Sequence, residues 1–227
     1  MKILVTGANG FIGKNVCLRL RELDHYILSF VKGDSYEHLT NLISEADAII
    51  HLAGVNRSSI EKQFLDTNID LTKQICKSLK FLKKSIPILF SSSTQFDKNN
   101  IYGKSKLEAE KCLVQFSRNF NCDISIFRLP GVFGKFCKPN YNSVVATFCY
   151  NVAHGLPLFI SNEENNLILI YIDDLINEFL EILSSEAKVG INFIDVTPVY
   201  NIKLGKQTKK IQSFAYLETQ TLVDQVG

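Results

Sequence analysis

The sequence predicts an α/β fold, a Rossmann-like doubly wound parallel sheet with a small irregular C-terminal substrate-binding part. Short, continuously apolar runs alternate with segments of helical periodicity, which is typical of parallel strands that helices cover on both faces. A glycine-rich turn joins the first apolar run to the first helical segment. Right-handed crossovers between successive parallel strands then give the doubly wound arrangement.

The N-terminal part of the chain follows this alternating pattern without interruption. Its predicted strands are KILVT (2–6), HYILSFV (25–31), DAIIHLAG (47–54), PILFSSS (87–93) and CDISIFRL (122–129). The predicted helices are 11–23, 35–46, 60–82 and one that contains 102–110. Strands and helices of these lengths, in this order, make a parallel sheet the expected core.

Beyond Pro130 the pattern is less regular. Helices are predicted at 142–155 and 172–183, and short strands at LPLFI (156–160) and LILI (167–170). We therefore predict a dinucleotide-binding core that includes the catalytic helix, residues 1–130, and a smaller substrate-binding part, residues 131–227. The second part lacks the signs of an independent domain.

Composition and charge exclude several classes of protein. The net charge of +2 on 227 residues argues against a nucleic-acid partner, which normally faces a strongly basic surface. No apolar run approaches the roughly 18 residues of a membrane span, so we expect no membrane association and a cytoplasmic protein. The six cysteines form no CxxC pair and have no histidine at zinc spacing, which predicts free thiols and no metal site.

The turn VTGANGFIG places Gly7, Gly10 and Gly13 directly after the first strand and at the start of the first helix. Dinucleotide-binding proteins use glycines here for a tight turn and for a close approach to a pyrophosphate, which the helix N-terminus then faces. The spacing is GxxGxxG rather than GxGxxG. The context predicts a dinucleotide site.

The end of the second strand bears on the choice of nucleotide. An acidic residue there suits the ribose of NAD, and a basic one suits the 2′-phosphate of NADP. In the sequence, Lys32 follows the strand directly and Asp34 comes two residues later. We expect NADPH, with NADH as the open alternative if Lys32 is an ordinary surface lysine.

Tyr102 and Lys106 lie four residues apart in a segment of strong helix formers, so they share one helix face. A phenol, with a pKa of about 10, is a poor acid–base group at neutral pH, and a nearby ammonium lowers that pKa. The spacing therefore suits proton transfer to a substrate oxygen. Taken alone, the spacing favours the other interpretation, two polar residues on the outside of a helix.

Four features in order, the glycine loop, HLAG (51–54), FSSS (90–93) and Tyr102-x-x-x-Lys106, together resemble the extended short-chain dehydrogenase/reductases of the NAD-dependent epimerase/dehydratase family. The resemblance implies that Tyr102 donates or accepts a proton, and that Lys106 binds the nicotinamide ribose and lowers the pKa of Tyr102. It implies that Ser93 hydrogen-bonds the substrate oxygen, with Ser92 as the alternative if the register differs by one. The implied cofactor contacts, besides Lys32 and the catalytic pair, are Gly7, Gly10, Phe11, Ile12, Gly13, Leu52, Ala53 and Gly54.

Resemblance over shorter stretches of the sequence indicates the subfamily. Dehydratases of this family carry an acidic residue after the catalytic serine, where this chain has Thr94 and Gln95. The stretch 133–150 resembles the reductase domain of CapF/WbjC/FnlB-type capsular polysaccharide enzymes. This implies NADPH-dependent reduction of a UDP-2-acetamido-2,6-dideoxy-hexos-4-ulose to UDP-2-acetamido-2,6-dideoxy-L-talose, on the UDP-L-FucNAc route of capsule or O-antigen synthesis. The alternatives are an NAD-dependent epimerase or dehydratase and an inactive dinucleotide-binding remnant.

The same resemblance suggests which residues bind the UDP-sugar and which partners to expect. The candidates besides Ser93 are Arg57, Arg128, Lys135, Asn140 and Asn142. Arg128 could instead serve strand-end packing, and KPNYNS (138–143) could be an ordinary turn. Family members continue past the point that TLVDQVG (221–227) resembles, into a metal-binding cupin domain. We therefore expect a truncated chain or a separate cupin-type epimerase as partner, and a homodimer.

Overall fold

The computed structural model describes residues 1–58, 60–186 and 188–217, so the segment 221–227 lies outside the described residues. Its main sheet consists of β1 (Lys2–Thr6), β2 (Tyr26–Phe30), β3 (Ala48–His51), β4 (Ile88–Ser93), β5 (Asp123–Leu129) and β8 (Gly190–Ile194). These six strands are parallel, in the order β2-β1-β3-β4-β5-β8. The predicted doubly wound sheet is confirmed.

Helices cover both faces of this sheet. The helices are α1 (Phe11–Glu22), α2 (Tyr36–Glu45), α3 (Glu61–Phe64), α4 (Leu71–Phe81), α5 (Ile101–Phe120), α6 (Val144–Ala153), α7 (Ile172–Ser184) and α8 (Leu204–Leu217). Apolar side chains of α2, α4 and α5 form the core on one face, and those of α1 and α7 form it on the other. Among the helices described, none combines the length and apolarity that crossing a membrane requires.

Register explains why the strands read as continuous apolar runs. Leu4, Ile49, Ile88 and Ile124 are neighbours across four adjacent strands, and each is fully buried. Because both faces of a parallel sheet are covered, apolar residues are needed at successive positions rather than at alternate ones. The sheet is therefore a rigid base for the loops at its carboxyl edge.

The single helix predicted at 60–82 is interrupted. Between α3 and α4, residues Leu65–Asp70 form a π-helical segment, in which each turn holds more residues than an α-helical turn. Asn68 lies in this segment and is only 1% exposed. The wider turn thus carries a polar side chain into the interior while α4 keeps its apolar face against the sheet.

A second, three-stranded sheet lies in the C-terminal part. It consists of β6 (Gly131–Phe133), β7 (Asn166–Tyr171) and β9 (Tyr200–Lys203), with β7 in the middle. The strand predicted at 156–160 is wrong: Pro157 has no backbone N–H to donate to a ladder, and Phe159 is 83% exposed. The strand predicted at 167–170 is confirmed as part of β7.

Two elements beyond residue 130 belong to the main sheet. β8 pairs with β5 over Asp123–Phe127, and α7 packs beside α1. The C-terminal part is therefore tied to the core by a strand and a helix. Division of the chain at residue 130 stays a prediction about function.

Candidate active site

A cleft of about 840 Å³ opens at the carboxyl edge of the main sheet. Its walls come from the glycine loop after β1, the ends of β3 and β4, the start of α5, and the segment from Leu129 to Asn142. In open α/β sheets, ligands bind at this edge because the loops that follow the strands converge there. The predicted catalytic residues and most of the predicted dinucleotide-binding residues meet in this cleft.

The glycine loop has the close backbone contacts that its sequence predicts. Gly7 has a φ of +71°, and a Cβ there would lie 2.8 Å from the main-chain nitrogen of Ala53. A Cβ on Gly13 would lie 2.2 Å from the carbonyl oxygen of Gly7. Larger residues at either position would push the loop away from β3 or away from the helix. The loop therefore keeps a narrow cradle whose backbone a ligand can approach.

Helix α1 presents uncapped N–H groups to this cradle. Its N-cap residue is Gly10, which has no side chain to cap them, and its first turn contains no acidic residue. Unsatisfied N–H groups and the positive end of the helix dipole favour an anion at this position. Phe11, Ile12 and Lys14 of the first turn line the same wall. These features fit the pyrophosphate of a dinucleotide.

The start of α5 is pressed against the turn that follows β4. The Asn100 side chain accepts from the N–H of Gly103 (2.7 Å), and a Cβ on Gly103 would lie 2.0 Å from the carbonyl oxygen of Gln95. This close approach is open only to glycine. Tyr102 thereby lies beside Ser93, the last residue of β4. The Ser93 hydroxyl is close enough to lower the pKa of the Tyr102 phenol.

The structure also separates the two serines that the sequence left open. The Ser92 hydroxyl donates to the buried carboxylate of Glu110 on α5 (2.5 Å). The Ser93 hydroxyl accepts from the N–H of Gln95 (3.1 Å) and faces Tyr102. Since only Ser93 has its hydroxyl beside the phenol, the geometry favours Ser93 as the residue that shares a substrate oxygen with Tyr102.

Lys106 lies one turn after Tyr102 and is 4% exposed. Its Nζ donates to the carbonyl of Ser91 (2.8 Å) and lies 4.9 Å from the centre of the Phe90 ring. Burial lowers the pKa of Lys106 to about 8, against the opposing pull of Glu110. A Cβ at Gly54 would come within 3.1 Å of Nζ, so glycine at this position leaves room for the ammonium.

The pKa of Tyr102 differs from the prediction. Burial raises it above the ordinary value, and the contact with Ser93 only partly offsets this. The ammonium of Lys106 is directed to the carbonyl of Ser91 rather than to the phenol. The phenol is therefore protonated, which is the form that a proton donor needs, although it is a weaker acid than a free phenol.

His51 anchors the end of β3 behind the cleft. The Thr6 hydroxyl accepts from the N–H of Ala53 (3.1 Å), so its proton is free to bond Nδ1 of His51 (2.7 Å). The Thr72 hydroxyl donates to the carbonyl of Asn68 (2.8 Å), so its oxygen accepts from Nε2 (2.9 Å). These contacts define a neutral imidazole protonated on Nε2. Burial, more than the charge of a nearby lysine, lowers its pKa to about 3.

Asn68 joins the loop after β3 to the catalytic helix. Its Oδ1 accepts from the N–H of Val55 (2.8 Å), and its Nδ2 donates to the carbonyl of Val55 (3.0 Å) and to the Ser105 hydroxyl (2.8 Å). Ser105 in turn donates to the carbonyl of Tyr102 (2.7 Å). One buried amide therefore fixes two walls of the cleft.

Comparison with known proteins identifies the family. Residues 3–202 match the NAD dependent epimerase/dehydratase family. The chain belongs to this family. It is 38% identical to the UDP-2-acetamido-2,6-beta-L-arabino-hexul-4-ose reductase of Pseudomonas aeruginosa over 228 residues, which covers 100% of this chain and 61% of that protein.

Solved structures share the fold. CapF from Staphylococcus aureus is 33% identical, with a TM-score of 0.82 over 97% of this chain and 59% of CapF. MoeE5, in complex with UDP-glucose and NAD, is 15% identical with a TM-score of 0.83 over 94% of this chain and 82% of that one, which shows a common fold. This family member therefore spans about three fifths of the length of the reductase and of CapF.

Two predicted UDP-sugar contacts of this family member lie at the cleft. Asn142 lines it. Arg57 is exposed at the rim, where it donates to the carbonyl of Tyr141 (2.9 Å), and Tyr141 lines the opposite wall. The pair joins the loop after β3 to the segment before α6. Asn142 is therefore placed to contact a ligand that enters the cleft, whereas Arg57 contacts the main chain of a residue that lines it.

Three other predicted contacts lie elsewhere. Arg128 forms a bidentate ion pair with Glu110, in which Nη2 lies 2.7 Å from Oε2 and Nε lies 3.2 Å from Oε1. Lys135 pairs with Asp173 (3.2 Å), away from the cleft. Asn140 supports its own turn, with a φ of +56°. The structure therefore places none of the three on the cleft wall, and Arg128 serves packing, the alternative reading of the sequence.

The predicted cofactor contacts divide in a similar way. The loop glycines, Phe11, Ile12, Leu52 and Gly54 line the cleft, whereas Ala53 packs its backbone against the loop. Lys32 is exposed just after β2, outside the wall. The carboxylate of Asp34 accepts from the N–H of Val31 (2.7 Å) and is thereby turned back towards its own turn. Lys32 therefore remains as the exposed charged side chain at the end of β2.

Several wall residues escaped the sequence analysis. They are Asn56, Lys14, Lys138 and Tyr141. Together with Lys106, the two lysines make three cationic side chains on the wall, and the described residues that line the cleft include no aspartate or glutamate. A cleft of this charge suits ligands with several phosphates. Loop positions such as Lys138 have no periodic signal, so the sequence alone could not place them.

Proposed function

We propose that this chain reduces the 4-keto group of a UDP-2-acetamido-2,6-dideoxy-hexos-4-ulose with NADPH, giving UDP-2-acetamido-2,6-dideoxy-L-talose on a route to UDP-L-FucNAc for capsule or O-antigen. One observation carries the proposal: the Tyr102 phenol lies beside Ser93 and one turn from buried Lys106, in a cationic cleft. The relative from Pseudomonas aeruginosa, itself a UDP-hexulose reductase by name, supports the substrate class.

The cradle fits the dinucleotide. Glycines at positions 7 and 13 keep the backbone accessible where a Cβ would fill the space, and the uncapped start of α1 suits the pyrophosphate. We propose that exposed Lys32 meets the 2′-phosphate. The hydrogen bond that the N–H of Val31 donates to Asp34 supports this choice, because it engages the nearby carboxylate. NADPH is the proposed cofactor, with NADH as the alternative.

When bound, the nicotinamide cofactor supplies a hydride, which brings two electrons to the keto carbon. Tyr102 gives its phenolic proton to the keto oxygen, so C=O becomes CH–OH and the phenolate is left to regain a proton from solvent. Ser93 donates a hydrogen bond to the same oxygen and holds it in line with the phenol. The raised pKa of Tyr102 keeps the proton in place until the oxygen becomes basic.

Dehydration is disfavoured by the same wall. Removal of water needs a carboxylate near the catalytic serine, and Thr94 and Gln95 line the cleft at that place. Epimerisation at C3 needs a base, and the described residues that line the cleft include no carboxylate that could serve as one. We therefore propose that a cupin-type epimerase supplies the substrate, either as a separate partner or as part of a longer chain. The family resemblance supports a homodimer as the working form.

The test is oxidation of NADPH, or of NADH, by the purified chain with a UDP-4-keto-6-deoxy-HexNAc that its upstream enzyme has already epimerised. Tyr102→Phe should slow the reaction by about 10²–10⁴-fold, the usual contribution of a general acid, without weakening cofactor binding. Tyr26→Phe, at an exposed tyrosine of β2, is the matched control. Cofactor binding without oxidation by the unaltered chain would refute the reductase and favour an epimerase or a binding-only protein.

A further inference from the structure

Three residues of α5, spaced four apart, face the three serines that end β4. The facing pairs are Tyr102 with Ser93, Lys106 with Ser91, and Glu110 with Ser92. Side chains at this spacing form one stripe along a helix. Two members of the stripe belong to the proposed catalytic set. The third, Glu110, takes no direct part in the proposed reaction.

Glu110 is a buried carboxylate in a complete set of contacts. Its side chain is 3% exposed, accepts from the Ser92 hydroxyl and pairs with Arg128 at 2.7 Å. The guanidinium of Arg128 is itself held between the rings of Phe96 (3.7 Å) and Phe193 (4.5 Å). Burying the Glu110 carboxylate costs desolvation energy. The ion pair with Arg128 and the hydrogen bond from Ser92 offset that cost, so the carboxylate stays ionised.

The surroundings of Lys106 contain one negative charge. On its own helix the Glu110 carboxylate lies one turn away and acts on its charge, and from β3 it faces His51, whose imidazole is neutral. From β5, the Arg128 guanidinium is paired with Glu110. From β4, Lys106 meets a carbonyl and the Phe90 ring. Burial of Lys106 favours the uncharged amine, so among the described residues Glu110 is the group that opposes loss of the charge.

We propose that Glu110 is a positioning residue of this site. It fixes Ser92, and with it the end of β4 that carries Ser93, and it supplies the negative charge that keeps the Lys106 ammonium charged beside Tyr102. The effect on catalysis rests on the proposed reductase function, but the relation between the two charges does not.

The test follows the Lys106 amine directly. Protein with ¹³Cε-labelled lysine is titrated by NMR, and the Lys106 signal is assigned by its loss in Lys106→Met. Glu110→Gln should move the midpoint of the Lys106 titration about one pH unit lower, since a nearby opposite charge typically shifts a pKa by one unit or more. Glu108→Gln removes the same charge from an exposed position on the same helix and should leave the midpoint unchanged.

Further variants keep the test decisive. If Glu110→Gln does not fold, Glu110→Gln combined with Arg128→Met removes the stranded cation as well and should show a smaller fall in the same direction. Glu110→Asp retains the charge and should restore most of the midpoint. A folded Glu110→Gln protein with the Lys106 midpoint of the unaltered chain would overturn the proposal, as would an equal fall in Glu108→Gln.

Activity gives a second readout. In the proposed reaction, Lys106 acts in its charged form. The alkaline decline of kcat/KM for NADPH oxidation should therefore begin at a lower pH in Glu110→Gln, and at a pH above both midpoints this variant should be about tenfold less active than the unaltered chain. A loss of activity that is equal at every pH would show a merely structural role and refute the charge role. The titration needs neither substrate nor cofactor, so an inactive wild-type chain would refute the reductase and leave the NMR result to decide on Glu110.

Discussion

Gly103 and the carbonyl oxygen of Gln95 meet so closely that a Cβ at position 103 would lie 2.0 Å from that oxygen. The contact is between a helix and the backbone of a turn, so no side chain can rotate away to relieve it. It is also the contact that sets Tyr102 beside Ser93. Packing at one glycine thus helps to position Tyr102 relative to Ser93, the two residues proposed to contact one substrate oxygen.

Gly103→Ala should therefore separate the pair as well as strain the fold. We expect a loss of about 1 to 3 kcal/mol in the free energy of unfolding, the usual cost of overpacking a close contact, and a fall in kcat of at least tenfold. Urea denaturation and NADPH oxidation measure the two effects. Lys104→Ala, at the exposed neighbouring position, should change neither, and an equal effect there would contradict the argument.

Asn68→Ala should loosen two walls of the cleft together. The change leaves the N–H and carbonyl of Val55 and the Ser105 hydroxyl without their buried partner. We expect a loss of about 2 to 4 kcal/mol in the free energy of unfolding, because the desolvation cost of a buried polar group is no longer offset once its hydrogen-bond partner is removed. Asp66→Ala, exposed in the same π-helical segment, is the control. Equal stability of the two variants would refute the role given to Asn68.

His51 makes stability depend on acid. In the unfolded chain this imidazole takes up a proton near pH 6.5, whereas in the folded chain its pKa is about 3. Its contribution to stability is thus complete above pH 6.5 and falls by up to about 1.4 kcal/mol per unit as the pH drops from there to about 3. His51→Asn should show a shallower decline in urea denaturation between pH 7 and 5. Parallel curves for the two proteins would contradict the shift.

Lys32→Glu tests the choice of nucleotide. A carboxylate at the end of β2 repels a 2′-phosphate and accepts hydrogen bonds from ribose hydroxyls. The ratio of affinities for NADPH and NADH, measured by titration calorimetry, should fall at least tenfold. Lys77→Glu, an equal charge change on the exposed face of α4, should leave the ratio unchanged. If both variants keep the original ratio, Lys32 is an ordinary surface residue.

The parallel core could be predicted because its signals are local. Each strand reads as a short apolar run and each helix as a periodic one, and the glycine loop marks their junction. β8 was missed because GINFI is only half-buried at the sheet edge, and its partner β5 lies more than sixty residues earlier. The π-helical segment was missed because its residues are compatible with an ordinary helix.

In the cleft, the structure brings together the residues of the spaced motifs, whereas it divides the isolated UDP-sugar candidates between the cleft and other surfaces. Tyr102, Ser93, Lys106 and the loop glycines occur in patterns that fold through short-range contacts. Arg128 was assigned to a diphosphate because of its chemistry, but its partner Glu110 lies on another element, and no periodicity links them. Glu110 itself had a signal, the spacing of four that already joined Tyr102 to Lys106.

The late strand of the main sheet has a consequence for synthesis of the protein. β5 emerges from the ribosome long before β8, so its outer edge stays unpaired while residues 130–189 are added. An uncovered apolar edge strand is a template for pairing between chains. Fragments that stop before Gly190 therefore expose this edge to one another, and they should aggregate even though the glycine loop, Ser93, Tyr102 and Lys106 are all present.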